Sequence, residues 1–203
     1  MCEAKRIRIV SLIVGLSLCQ PLLAADKFPE FPVRQISEYS ISAEKPGIKL
    51  GVQPLDDLKD QKQYFRIGLT PKGYVPVFIV LQNVSSEDRF LFDKKDIRYG
   101  SAVAAATPDA SISSGKVTAV DGVALLGGLA GLVFADVIFG NATQVQGNIV
   151  RKEVQSMTLA PGALAHGFLY FPVPKSGSRS RIRLQVPVTK EGSNAPLVLE
   201  VIF

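Results

Sequence analysis

Apolar residues occupy both parities of the stretch Tyr74 to Leu81, with Phe78 and Val80 on one side of an extended chain and Val77, Ile79 and Leu81 on the other. Side chains of a strand alternate between its faces, so this pattern predicts a central strand covered on both sides. Gly167 to Phe171 is also apolar on both parities and predicts a second buried strand. Arg181 to Val188 alternates instead, which turns Ile182, Leu184, Val186 and Val188 toward a core and leaves a polar outer face. Leu197 to Phe203 predicts a closing strand. Shorter strands are expected at Gly47 to Val52, at Tyr64 to Leu69, at Phe90-Leu91-Phe92 and at Ile97-Arg98-Tyr99. Turn signals separate them: Thr70-Pro71-Lys72-Gly73, Asn83 to Asp88, Leu159-Ala160-Pro161-Gly162 and Glu191-Gly192-Ser193-Asn194.

The middle of the chain departs from this pattern. Residues 101–118 are rich in Ala, Ser and Thr, and Gly122 to Ala135 carries no charge. Asp121 is a suitable N-cap for a helix there. Asn148 to Gln155 has helical periodicity, with Ile149, Val150, Val154 and Met157 to one side. The expected architecture is therefore mainly β: an antiparallel β-sandwich holding a Gly/Ala-rich helical insertion at about 113–156. Loop-closure entropy grows only logarithmically with length, so such an insertion costs little.

The N-terminus has its own logic. Lys5, Arg6 and Arg8 form a positive region, Ile9 to Leu18 an apolar one, and Pro21 precedes the small residues Ala24 and Ala25. These are the successive parts of a cleavable export signal, and the apolar run is too short to span a bilayer comfortably. The expected organisation is a signal peptide over 1–25, an extended lead-in over 26–45 and a single domain over 46–203. Both cysteines, Cys2 and Cys19, fall in the signal, so the mature chain has no thiol for a disulfide, a nucleophile or a metal site. Leu16-Ser17-Leu18-Cys19 has the form of a lipid-attachment box, although the bulky Leu18 stands where a small residue is usual; Cys19 is a candidate lipidation site.

The stretch from Gly73 to Asn83, followed by Val84-Ser85, resembles the strand-then-N-x-S signature of immunoglobulin-like, telokin-like domains of exported bacterial envelope proteins. Leu159-Ala160-Pro161-Gly162 with Gly167 to Pro174 is similar to the second half of that signature. The resemblance covers about half of the mature chain. It implies an immunoglobulin-like sandwich in the periplasm or at the cell surface, and it carries over no catalytic residues.

Charge and chemistry narrow the picture further. The chain has 23 Lys and Arg against 18 Asp and Glu. Without the signal's three basic residues and one acidic residue, the net charge is +3, spread along the chain. Nothing interleaves basic with aromatic residues as nucleic-acid binding requires. Ser113 and Lys116 have the S-x-x-K spacing but lack its companion motifs. His166, the single histidine, has no serine in a nucleophile-elbow context. Asp56, Asp57 and Asp60 are interleaved with Lys59 and lack the glycine and distal glutamate of a calcium loop. Asn83-Val84-Ser85 and Asn141-Ala142-Thr143 have the form of glycosylation sequons. No catalytic residue, cofactor, metal or small-molecule substrate is therefore expected. The expectation is a non-enzymatic envelope or cell-surface module that binds another envelope protein or gives structural support. The alternative is a membrane-associated protein that inserts or oligomerises through 122–140, where Gly127 and Gly131 have the spacing that lets helices approach closely.

Overall fold

A computed structural model describes residues 28–100, 102–103, 108, 143–173 and 182–202. Among these residues ten strands and two α-helices follow one another along the chain. They are β1 (Ile41–Lys45), β2 (Ile48–Pro54), α1 (Leu58–Phe65), β3 (Tyr74–Asn83), β4 (Phe90–Phe92), β5 (Arg98–Tyr99), β6 (Ala102–Val103), α2 (143–152), β7 (Met157–Leu159), β8 (Leu164–Pro172), β9 (Arg183–Lys190) and β10 (Pro196–Ile202). One sheet runs β1-β2-β3-β8. The other runs β6-β5-β9-β4-β7, with β10 on the far edge of β9. All pairings between these strands are antiparallel. The chain is thus mainly β, as expected.

The strand over Tyr74 to Leu81 is central and covered on both sides. Val77, Ile79 and Leu81 of β3 join Ile48, Leu50, Leu169 and Phe171 against Leu184, Val186, Val188 and Leu199 of the second sheet. Phe78 and Val80 face the other way and join Phe168 and Tyr170 of β8 under a layer made of residues 28–39, α1 and α2. β3 and β8 are therefore apolar on both faces. The second sheet alternates, its inner side chains buried and its outer ones in water.

Three local expectations are corrected. Tyr64 to Leu69 is not a strand: Tyr64 and Phe65 end α1, and Arg66 closes it in a left-handed conformation at φ 65°. Gln61 explains this. Its amide donates to the Leu55 carbonyl and the Thr70 hydroxyl and accepts from the N–H groups of Leu69 and Thr70, so the post-helical turn is tied to the helix. Val150 and Met157 do not share a buried side with Ile149 and Val154: both are exposed, and Met157 begins a strand. Residues 41–45 of the lead-in form β1, joined to β2 by the turn Pro46-Gly47, where Gly47 takes φ +80°.

Beyond Ile149, α2 leaves the outer layer. The chain rounds the edge of β8, and Val154 enters the core between the sheets. At the crossing the Val154 N–H donates to the Phe168 carbonyl at 3.0 Å. Gly167, at φ +153°, allows it: a Cβ there would lie 2.6 Å from the Val154 nitrogen. The crossing covers part of an edge strand that would otherwise offer unpaired backbone groups.

Candidate functional site

Two places stand out among the described residues, one on each side of the molecule. The first is a cavity of about 280 Å³ between the segment Glu30–Val33, the end of α2 and β8. Phe31, Phe78 and Phe168 line it and pack on one another, with ring centroids 4.6 to 5.2 Å apart. His166 and Arg151 line it as well. His166 is exposed and touches the Phe78 ring at 6.1 Å between centroids.

The charges around this cavity are mostly engaged in holding the layer down. Arg151 reaches Glu30 at 3.2 Å, Asn148 Oδ1 at 3.2 Å and the Phe28 carbonyl at 3.5 Å, each time through Nη2. Lys152 is buried, donates to the carbonyls of Pro29 and Tyr64, and lies over the Tyr64 ring. Glu153 is buried with Lys94 3.0 Å away, and a buried carboxylate needs such a partner. The Tyr170 hydroxyl donates to the Ile149 carbonyl at 2.9 Å. Burial, and then the nearby Glu153, push that hydroxyl well above the usual tyrosine range, so it remains a neutral donor.

The second place is the outer face of the β9 sheet. Leu91 and Ile202 are each 53% exposed and Val198 is 38% exposed. Leu91 pairs across from Thr189, and Val198 from Pro187, so the two lie diagonally across β9 with Thr189 and Pro187 between them, whereas Ile202 lies opposite Arg183, beyond Glu200. A hollow of about 310 Å³ opens here, lined in part by Leu91, Pro187 and Pro196 with Asp96 and Arg98. It lies where the strand opposite β9 is interrupted. Phe90–Phe92 and Arg98–Tyr99 both pair with β9, the turn Lys94–Asp96 stands between them, and Val186 and Pro187 have partners only in β10. Proline has no N–H to give, so a break in the ladder suits it. Arg183 and Glu200, 3.1 Å apart, border the apolar part of the face.

The residues singled out in the sequence are not brought together. His166 lies at the first cavity. Asp57 is the N-cap of α1, its carboxylate accepting from the Lys59 N–H at 2.6 Å, and Asp60 sits in the first helical turn. That accounts for the acidic cluster as helix capping. Asn83 is fully buried. Its amide donates to the carbonyls of Asp88 and Leu159 and accepts from the Ser85 N–H, so the N-x-S motif is an Asx turn fastening β3 to β7 and not an accessible sequon. Cys19, Ser113, Lys116, Gly127, Gly131 and Asn141 lie outside the described residues. Among the described residues no group of His, Cys, Asp and Glu is placed to hold a metal ion, and no helix is long and apolar enough to cross a membrane.

Sequence reasoning missed Arg151, Phe31 and the face around Leu91. Arg151 carries no motif, and Phe31 lies in a segment read as lead-in. The alternation of β9 marked an exposed face but not its apolar neighbours on β4 and β10. No family model, no curated protein and no solved structure matches the chain.

Proposed function

We propose that the chain is an exported, non-enzymatic module of the cell envelope with an immunoglobulin-like fold, and that it binds another envelope protein through the outer face of the β9 sheet. The observation that carries this reading is the exposure of Leu91 and Val198 on either side of Pro187 and Thr189, on the outer face of the second sheet. Neighbouring apolar side chains bordered by charge are the usual composition of a protein contact. The strand order supports the fold assignment. β2-β3-β8 facing β10-β9-β4-β7 corresponds to strands A-B-E facing G-F-C-C′ of an immunoglobulin-like sandwich. On that reading, β1 is an added edge strand and the helical insertion falls between C and C′. Export rests on the basic, apolar and small-residue regions of 1–25.

The test is position-specific photocrosslinking in intact cells. A reactive residue at Leu91 or Val198 is expected to give one discrete adduct in the periplasmic fraction, and the same residue at Glu38, on the opposite layer, none. Val198→Glu in the Leu91-labelled chain should abolish the adduct. Equal labelling from all positions, or an adduct indifferent to Val198→Glu, would reject this face. A chain that stays in membranes through alkaline washing, or an oligomer that is lost on Gly127→Leu with Gly131→Leu, would establish the alternative of insertion or self-association instead.

A further inference from the structure

The cavity beside His166 lies on the side of the molecule away from the β9 face, so it does not belong to the proposed protein contact. Its inner wall is aromatic: Phe31, Phe78 and Phe168 are 8%, 2% and 1% exposed, and each is fixed by the other two rings. With the rings so held, a flat or branched apolar group entering with little reorganisation would meet chiefly Phe31, the most exposed of the three. The polar groups differ in how far they are committed. Lys152 is buried on two carbonyls, and Glu153 is held beside Lys94. Arg151, by contrast, makes all three of its contacts through Nη2, and its side chain is 52% exposed, so Nε and Nη1 still have donors to offer. His166 is exposed, and its contact is with a ring and not with a hydrogen-bonding group. Among the described residues Glu30 is the one acidic side chain at the open rim, and it is already engaged by Arg151.

We propose that this cavity is a binding site for a small apolar carboxylic acid, its hydrocarbon group against Phe31, backed by Phe78 and Phe168, and its carboxylate between Arg151 and His166. A guanidinium suits this role because it can give two parallel N–H bonds to a carboxylate. The volume of about 280 Å³ limits the guest to a ring or branched chain bearing a short acid arm and is at the low end for ligand pockets. A neutral analogue of the same shape would fill the aromatic part but leave the donors without their anion.

The test is titration of the isotope-labelled full-length mature protein with 3-phenylpropionate, followed by amide chemical shifts, with 3-phenylpropan-1-ol and acetate as comparison probes. Saturable shifts are expected at Val33, Arg151, His166 and Phe168 with the acid, at millimolar concentration or below. The alcohol should bind about tenfold more weakly and acetate should give no saturable shift. His166→Gln, at an exposed position, should weaken the acid severalfold while leaving the alcohol unchanged. Val33→Trp, at the exposed rim, should block both. Equal affinity for acid and alcohol would overturn the assignment of the carboxylate, and absence of saturable shifts at these four residues would overturn the site.

Discussion

A single missing side chain allows the chain to change sides. Gly167 lies within a buried strand, and its apolar neighbours made it legible as strand. Nothing in its surroundings announced that residues 152–154 would cross directly above it. The close approach is between backbones: a Cβ at 167 would meet the Val154 nitrogen at 2.6 Å, its Cα at 2.7 Å and the Lys152 carbonyl at 3.0 Å. Backbone cannot swing aside as a flexible side chain can, and φ +153° is itself unfavourable for an L-residue. Gly167→Ala is expected to cost on the order of 3 kcal/mol, combining backbone strain with overpacking. Urea denaturation measures it, and a loss below about 1 kcal/mol would show that the crossing segment can lift away from β8. Asn83 is the contrasting case. It was legible as part of a motif, but its part in the fold emerged only from its partners 5 and 76 residues away.

Among the elements, long strands with strong apolar patterns were legible and short polar elements were not. β3, β8, β9 and β10 fall where alternation or continuous apolar character places them. α1 was missed because its sequence, LKDQKQYF, buries only Gln61 and Phe65, and a buried glutamine carries no hydrophobic signal. β1 was missed because its burial is slight and its register is set by the Pro46-Gly47 turn and not by its own side chains. The turn Lys94–Asp96 was legible as a charged break between two short strands, but what fixes it was not. Asp93 caps the turn, accepting from the Lys95 N–H at 3.0 Å, and it also accepts from the Ser156 hydroxyl at 2.9 Å, which ties the turn to the segment before β7. The Lys95 N–H first, and then the Ser156 hydroxyl, hold the Asp93 carboxyl below its ordinary range. A carboxyl whose folded value is lowered stabilises above its unfolded value, about 3.9, and loses that contribution as pH falls through the folded value. Asp93→Asn keeps the acceptor oxygen and removes the charge. The variant should be less stable than the parent at pH 7, with the difference shrinking below about pH 4. Denaturation midpoints at pH 7 and pH 3 check this, and an equal difference at both would mean that the charge contributes nothing.

At the scale of the whole molecule, two apolar cores share one sheet. Alternate residues of β3 enter different cores: Val77 and Ile79 face the second sheet, Phe78 and Val80 the layer of helices. That division was readable from the sequence, because an extended chain with apolar side chains on both parities has to be covered twice. What covers the second face was not readable, since Phe28 and Phe31 belong to a segment whose composition suggests a linker. A strand common to both cores should make them melt together, as neither face of β3 can lose its cover without exposing aromatic rings to water. Phe31 is the place to test this, packed within 4.6 to 5.2 Å of Phe78, Tyr64 and Phe168. Phe31→Ala should cost about 3 kcal/mol, at the low end for a buried phenylalanine because its ring retains some contact with solvent. It should lower the midpoint of a single transition seen alike by far-ultraviolet circular dichroism, which follows the sheets, and by near-ultraviolet dichroism of the aromatic layer. If the aromatic signal instead melts first and the sheets keep the parent's midpoint, the N-terminal strap and helices form a separate cooperative unit, and β3 does not couple the two cores.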